Sequence, residues 1–345
     1  MHYLITGHTG FKGSWLTLML TSLGHEVSGL ALEPEAKSLF LEADVGQYLK
    51  NDLRVDIRDK VATARALREI EPDVVIHLAA QPLVRRSYAN PIETFETNVL
   101  GTLNVLEATR GIEQLKCILV VTTDKVYKNK NQLTGYNELD PLGGDDPYSA
   151  SKAAADIAAQ SWVKSFGVVT TAIARAGNVV GGGDWAEDRI IPDLVRAYDQ
   201  NRTPILRYPN AVRPWQHVLD CLNGYLVLIE ALLVKTQSGG EWNFGPSLDE
   251  THTVNQVVNL FESAWGKKRD YFEVEAHVQN PESGLLLLDS SKAVSKLGWK
   301  EILSFEECIE WAADWYLNST DSTLDKTKKQ IEEFLLRARD ITSKI

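Results

Sequence analysis

Tyr148 and Lys152 stand four positions apart in Tyr148-Ser149-Ala150-Ser151-Lys152, a spacing that puts both on one face of a starting helix. A free tyrosine, with a pKa of about 10, is a poor base at neutral pH. A nearby ammonium and a positively charged cofactor ring would stabilise the phenolate and bring it into the working range. Such a tyrosine can take the proton from an alcohol while a hydride leaves the carbon. The same spacing arises often by chance, so its neighbours matter. Thr122-Thr123-Asp124-Lys125 follows the apolar run Ile118 to Val121, and ligands gather at the carboxyl ends of parallel strands. There Asp124 can donate a proton to a leaving hydroxyl and Lys125 can help remove a carbon-bound proton. The plain alternative is a solvated turn pair.

Gly7-His8-Thr9-Gly10-Phe11-Lys12-Gly13 directly follows a first apolar run and precedes a helical pattern. Glycines here let the backbone turn tightly and approach a pyrophosphate at a helix N-terminus, although they could serve a turn alone. The spacing is GxxGxxG rather than the commoner GxGxxG. Asp56-Ile57 after the third strand and Leu78-Ala79-Ala80-Gln81 after the fourth would let an adenine and a ribose lie close to the sheet edge. Asn98, early in a long helix, is expected to hold backbone or water near the catalytic groups, and Thr122 joins the expected cofactor set with Tyr148 and Lys152. His77 reads as buried beside the loop. An acidic residue at the end of the second strand commonly binds the adenosine ribose diol. That strand reads Leu30-Ala31-Leu32, its first carboxylate is Glu33, and no arginine sits there either. The expected cofactor is therefore NAD, bound more weakly than usual.

These groups need a frame, and the first half of the chain supplies one. Leu4 to Thr6, Val27 to Leu32, Val74 to Leu78, Ile118 to Val121 and Thr170 to Ala174 read as buried strands. Trp15 to Leu23, Val61 to Ile70 and Asn98 to Arg110 read as amphipathic helices between them. The alternation predicts an α/β fold: a doubly wound parallel-sheet (Rossmann) domain with a smaller mixed α/β substrate domain. The expected division is 1–177 with a return at about 218–245 for the first, and 178–217 with 246–345 for the second. Gly181-Gly182-Gly183 and Pro192, Pro204, Pro209 and Pro214 mark the change of pattern. Leu324 to Arg339 reads as a solvated terminal helix.

Composition narrows the classes. The net charge of -11 argues against nucleic acid or an anionic membrane as partner. Three cysteines without CxxC spacing exclude a disulfide framework and a thiolate zinc site, and no other metal site is expected. No signal peptide is visible, and the apolar Gly224 to Val234 carries Glu230, so a buried helix and a cytoplasmic protein are expected.

These pieces resemble the extended short-chain dehydrogenase/reductase superfamily and, more narrowly, the CDP-glucose 4,6-dehydratases over nearly the full length. The resemblance rests on Thr6 to Trp15, Ala80-Gln81-Pro82-Leu83-Val84-Arg85, Thr123 to Tyr127, Gly143 to Tyr148, Arg175 to Trp185 and Arg213-Pro214-Trp215-Gln216-His217-Val218. It implies that Tyr148, assisted by Thr123 and Lys152, oxidises the sugar of CDP-glucose at C4. Lys125 as base and Asp124 as acid then eliminate water across C5 and C6, and hydride returns to C6 on the same NAD. Related dTDP-glucose enzymes carry Thr-Asp-Glu where this chain has Lys125, and a lysine base must be neutral. Asn178 and Arg213 are implied near the diphosphate and Arg189 in a similar part, Arg85 is counted among the substrate-binding residues, and His217 stands either at the site edge or in a structural hydrogen bond. Trp185 and Trp215 flank the base or sugar, or simply pack. The segments Lys128 to Tyr136 and Val278 to Ser283 depart from the family pattern. A homodimer or higher homo-oligomer is implied, through the helices 98–110 and 148–166. The competing readings are a nucleotide-sugar 4-epimerase or reductase and a non-catalytic NAD-binding module.

Overall fold

The computed structural model describes residues 1–167, 169–237, 239–249, 251–266, 272–275, 284–317 and 320–342. Strands β1 (His2–Thr6), β2 (Glu26–Ala31), β3 (Asn51–Arg54), β4 (Val74–His77), β5 (Cys117–Val121) and β6 (Thr170–Ala176) join the strand Gly240–Phe244 in one seven-stranded sheet. The order runs Gly240–Phe244, β6, β5, β4, β1, β2, β3, and every pairing is parallel. The order in which strands are added reverses between β1 and β4, so the loops after these two parallel strands open onto one crevice.

Side-chain alternation explains the two covered faces. Tyr3, Ile5, Val74, Ile76, Cys117 and Leu119 pack on the helices Phe11–Ser22 and Val218–Leu233. Leu4, Val75, Ile118 and Val120 pack on Lys60–Ile70 and Thr102–Ala108. The helix expected over 98–110 begins instead with a wider turn, a π-helix over Glu96–Gly101. A third apolar cluster unites Ile190–Asp199, Val254–Trp265 and Phe305–Tyr316 through Leu194, Phe261 and Ile309.

The terminal helix, Thr323–Thr342, is more than a solvated end. Ile331 and Phe334 are fully buried in the main core, and Trp315 Nε1 donates to Thr327 Oγ1 at 2.9 Å. Residues 278–283 lie outside the described set. The departing 128–136 loop ends on buried Tyr136, stacked on Tyr127 at 5.3 Å. Among the described residues no helix is long and apolar enough to cross a membrane, and no group of three or more His, Cys, Asp or Glu could hold a metal.

Candidate active site

The glycine loop is shaped by close backbone approach. Gly7 has φ +78°, and a Cβ there would stand 2.8 Å from the Ala79 amide nitrogen. A Cβ at Gly13 would overlap the Gly7 carbonyl. The helix Phe11–Ser22 starts at Gly10 with no acidic residue in its first turn and no side-chain cap, which leaves its leading amides available to an anion. This cradle fits a dinucleotide pyrophosphate. Thr9 Oγ1 donates to the Leu32 carbonyl at 3.2 Å and ties the loop to the end of β2. Ile57 is buried beneath Gly101, and Asp56 pairs with Arg58 at 2.6 Å.

His77 sits where the sequence placed it. Its ring spans Thr6 Oγ1 at 2.7 Å and Thr102 Oγ1 at 2.9 Å, and burial pulls its pKa down to about 3. It is a neutral buried bridge. Asn98 holds backbone: its Oδ1 accepts from Gln81 N at 2.8 Å, and its Nδ2 donates to Ser151 Oγ at 2.8 Å. One buried amide thus fastens the loop after β4 to the helix carrying Tyr148 and Lys152.

That helix, Pro147–Phe166, is capped by Asp146, whose Oδ1 accepts from Ser149 N at 2.9 Å. Lys152 is buried and its Nζ donates to the Val121 carbonyl at 2.9 Å, at the last residue of β5. Burial lowers its pKa to about 8, against the pull of Asp156 and helped by repulsion from Lys12. Burial raises the Tyr148 phenol to about 12, opposed by a hydrogen bond from Thr123 and by the charge of Arg189. Thr123, Tyr148 and Arg189 therefore share one place.

Asp124 is 2% exposed. Thr123 Oγ1 donates to its Oδ1 at 2.9 Å, whereas Oδ2 has no partner among the described residues. Burial pushes its pKa up, while the Lys125 ammonium, the Thr123 hydroxyl and the Arg213 guanidinium draw it down. A solvated turn pair is excluded for Asp124, because the carboxyl is inside. Arg213 and Asn178 come together through the parallel pairing of Asn178–Val180 with Trp215–His217, where Asn178 N donates to the Pro214 carbonyl at 3.1 Å.

The matching family profile, GDP-mannose 4,6 dehydratase, extends over residues 4–311. The chain belongs to that family. It is 39% identical to a CDP-glucose 4,6-dehydratase of Salmonella typhimurium, covering 96% of this chain and 95% of that one. It is 28% identical to dTDP-glucose 4,6-dehydratase 1 of Escherichia coli, covering 93% and 94%. A dTDP-glucose 4,6-dehydratase of Streptomyces venezuelae, solved with NAD bound, superposes with a TM-score of 0.79 at 25% identity, over 92% of this chain and 97% of that one. A UDP-glucose 4-epimerase of Thermotoga maritima gives 0.80 at 21% identity, over 92% and 98%, a likeness of fold alone.

Within this GDP-mannose 4,6-dehydratase fold several expected ligand contacts take other parts. His217 is fully buried between Trp15 and Trp311, and its Nδ1 accepts from Leu219 N at 3.3 Å. It caps a helix instead of edging the site. The Thr122 hydroxyl turns away from the cleft and donates to Asp156 Oδ2 at 3.0 Å. Arg85, expected among the substrate-binding residues, pairs with Asp188 at 3.1 Å and Glu275 at 3.0 Å and so ties segments together. Arg189 pairs with Asp184 at 3.0 Å while still acting on Tyr148. Trp215 is buried with Nε1 donating to the His252 carbonyl at 3.3 Å, and Trp185 lies under the Lys37 ammonium at 3.4 Å. Both tryptophans pack.

Sequence reasoning missed the buried pair Asp156–Arg175, 2.7 Å apart at 0% and 1% exposure, which anchors the helix carrying Tyr148 and Lys152. It also missed Ser87, whose Oγ accepts from Tyr148 N at 3.0 Å. Nothing local marks either, since partners lie far along the chain. Ser151, adjoining Lys152, carried a weak signal by position. Arg54, at the end of β3, brings a guanidinium beside Glu33 that a reading of β2 alone could not show.

Proposed function

We propose that the chain is an NAD-dependent nucleotide-sugar 4,6-dehydratase whose substrate is CDP-glucose. The observation that carries this reading is Asp124: a buried carboxyl held toward its acid form next to Thr123, Lys125 and Tyr148. Epimerisation at C4 has no use for such an acid, because no hydroxyl leaves. The CDP-glucose 4,6-dehydratase relative supports the choice of base and sugar.

In the proposed reaction Tyr148 takes the O4 proton, with Thr123 hydrogen-bonded to the phenol and Lys152 beside the ring site. NAD held by the Gly7 to Gly13 loop would supply the acceptor for the C4 hydride and its return to C6. The C4 ketone acidifies the C5 hydrogen, which Lys125 removes. Asp124 protonates the C6 hydroxyl as it departs as water, and Lys125 returns the proton to C5. The product is CDP-4-keto-6-deoxyglucose. Gly7, Thr9, Gly10, Phe11, Lys12 and Gly13 would hold the pyrophosphate, with Asp56, Ile57, Leu78, Ala79, Ala80 and Gln81 along the adenosine. Asn178 and Arg213 would hold the substrate diphosphate, since a planar guanidinium suits two phosphate oxygens.

We further propose a homodimer. Ile92, Leu100, Ile157 and Phe166 are 70%, 54%, 53% and 44% exposed along the segment 91–108 and the helix Pro147–Phe166, which pack side by side. A run of large apolar groups in water is the mark of a surface that seeks a partner. Division of the chain at about residue 177, with a return at 218–245, belongs to this reading. So does work in the cytoplasm, which the three buried free cysteines suit.

The test is incubation of purified protein with CDP-glucose and, separately, with dTDP, UDP and GDP hexoses, followed by mass. Loss of one water from CDP-glucose alone supports both reaction and base. Loss of water from none, with cofactor bound, sinks the dehydratase reading.

A further inference from the structure

Asp124 and Lys125 stand in one short 3-10 turn, Asp124–Val126, that follows β5. So short a turn has little stability of its own, and its orientation comes from what holds its two ends. Thr122 and Tyr127 flank those ends. The Thr122 hydroxyl donates to Asp156 Oδ2 at 3.0 Å. The Tyr127 hydroxyl accepts from Arg175 Nη1 at 2.9 Å and donates to Asn243 Oδ1 at 2.7 Å. Arg175 in turn grips Asp156, with Nε on Oδ2 at 2.8 Å and Nη2 on Oδ1 at 2.7 Å. Both ends of the turn therefore close on one buried ion pair.

That ion pair also belongs to the other half of the site. Asp156 lies one helical turn beyond Lys152 on Pro147–Phe166, and Lys152 Nζ meets the Val121 carbonyl next to Thr122. Tyr127 is buried in one apolar cluster with Tyr136, Ala153 and Leu288. A phenylalanine would fill the same space, so packing alone gives the hydroxyl no purpose. What the hydroxyl adds is a fixed distance to Arg175 and, through Asn243, to the edge strand Gly240–Phe244. Asn243 is itself pinned, its Nδ2 donating to the Tyr136 and Asp289 carbonyls at 2.9 and 3.0 Å.

We propose that Tyr127 is a positioning residue for the elimination: through Arg175 and Asn243 its hydroxyl sets where Asp124 and Lys125 stand relative to Tyr148 and Lys152. This rests on the reading of the chain as a 4,6-dehydratase. C4 oxidation uses the helix Pro147–Phe166 and Thr123, at the near end of the turn. Removal of the C5 proton and of the C6 hydroxyl uses the turn itself. Loosening its far end should thus separate the two steps, because misplacing a reacting group by about 1 Å can cost about a hundredfold in rate.

The test is Tyr127→Phe in the full chain, loaded with NAD and mixed with CDP-glucose in a single turnover. Absorbance of reduced cofactor reports C4 oxidation, and mass reports loss of water. Oxidation should stay within about twofold of wild-type protein while water loss falls at least about tenfold, so that reduced cofactor accumulates. Thr122→Val severs the tie at the near end, keeps the shape of the side chain, and should also slow water loss by about tenfold or more. It carries the test should Tyr127→Phe not fold. An equal fall in both steps of Tyr127→Phe, as a merely structural role would give, overturns the proposal and leaves the dehydratase reading intact. So does water loss at the wild-type rate in both variants. Wild-type protein that binds NAD yet releases no water overturns both.

Discussion

Thr123 Oγ1 donates to Asp124 Oδ1 at 2.9 Å, and the second carboxyl oxygen of Asp124 is buried with no partner among the described residues. An unpaired buried oxygen is costly as an anion and tolerable as an acid. Burial therefore shifts this carboxyl toward its acid form where β5 ends, next to the threonine that also meets the Tyr148 phenol.

Asp124→Asn should leave C4 oxidation and lower dehydration about 10²- to 10⁴-fold, the usual contribution of a general acid. The check is single-turnover absorbance of reduced cofactor, which should accumulate in the variant and not in wild-type protein. Because burial raises the Asp124 pKa, its acid form persists to higher pH than an ordinary aspartate. Dehydration should then decline as pH rises through that raised value.

Tyr148→Phe should remove C4 oxidation itself, by about 10²-fold or more, with binding of nucleotide sugar retained. Lys152→Met should act on the same step. Lys152 loses its charge as pH rises through about 8, so the variant should lack any feature of the oxidation rate that wild-type protein shows in that range. Pre-steady-state rates from pH 6 to 10 decide it.

Removing one member of the buried Asp156–Arg175 pair should be worse than removing both. Asp156→Asn strands a guanidinium that is 1% exposed, and breaking such a pair costs about 3–5 kcal/mol. Denaturant midpoints of Asp156→Asn and of the double variant Asp156→Leu/Arg175→Met give the comparison.

Asp220 is buried with Ile302 N and Leu303 N donating to its oxygens at 2.7 and 3.4 Å, and burial raises its pKa to about 7. The folded state thus favours the protonated form. Its contribution is full below the ordinary carboxylate range and is lost as pH rises toward about 7. Asp220→Asn should flatten the fall in stability between pH 4 and 7, read by thermal unfolding at several pH values.

Leu100→Glu or Ile92→Asp should yield a monomer that keeps its circular dichroism, as measured by sedimentation. A dimer that persists in both variants would place the interface elsewhere. These side chains are 54% and 70% exposed, so neither change should disturb the core.

The sequence by itself determined the elements and the chemical groups. Alternating apolar runs and helical periods settle a parallel sheet covered on both faces, because side-chain period is a local property. The glycine loop, Asp124-Lys125 and Tyr148/Lys152 are legible for the same reason: each acts through near neighbours or a strand end. Tertiary structure alone decided what those groups face. His217 is as plausible a ligand as any histidine until Trp15 and Trp311 close over it, from about 200 and 94 positions away in the chain. Nothing in the sequence around Arg85 shows that Asp188 and Glu275, far along the chain, are its partners. Arg54 reaches Glu33 only because β3 pairs with β2. Asp124 is an ordinary carboxylate in sequence, and its pKa rises only because the fold withdraws it from water.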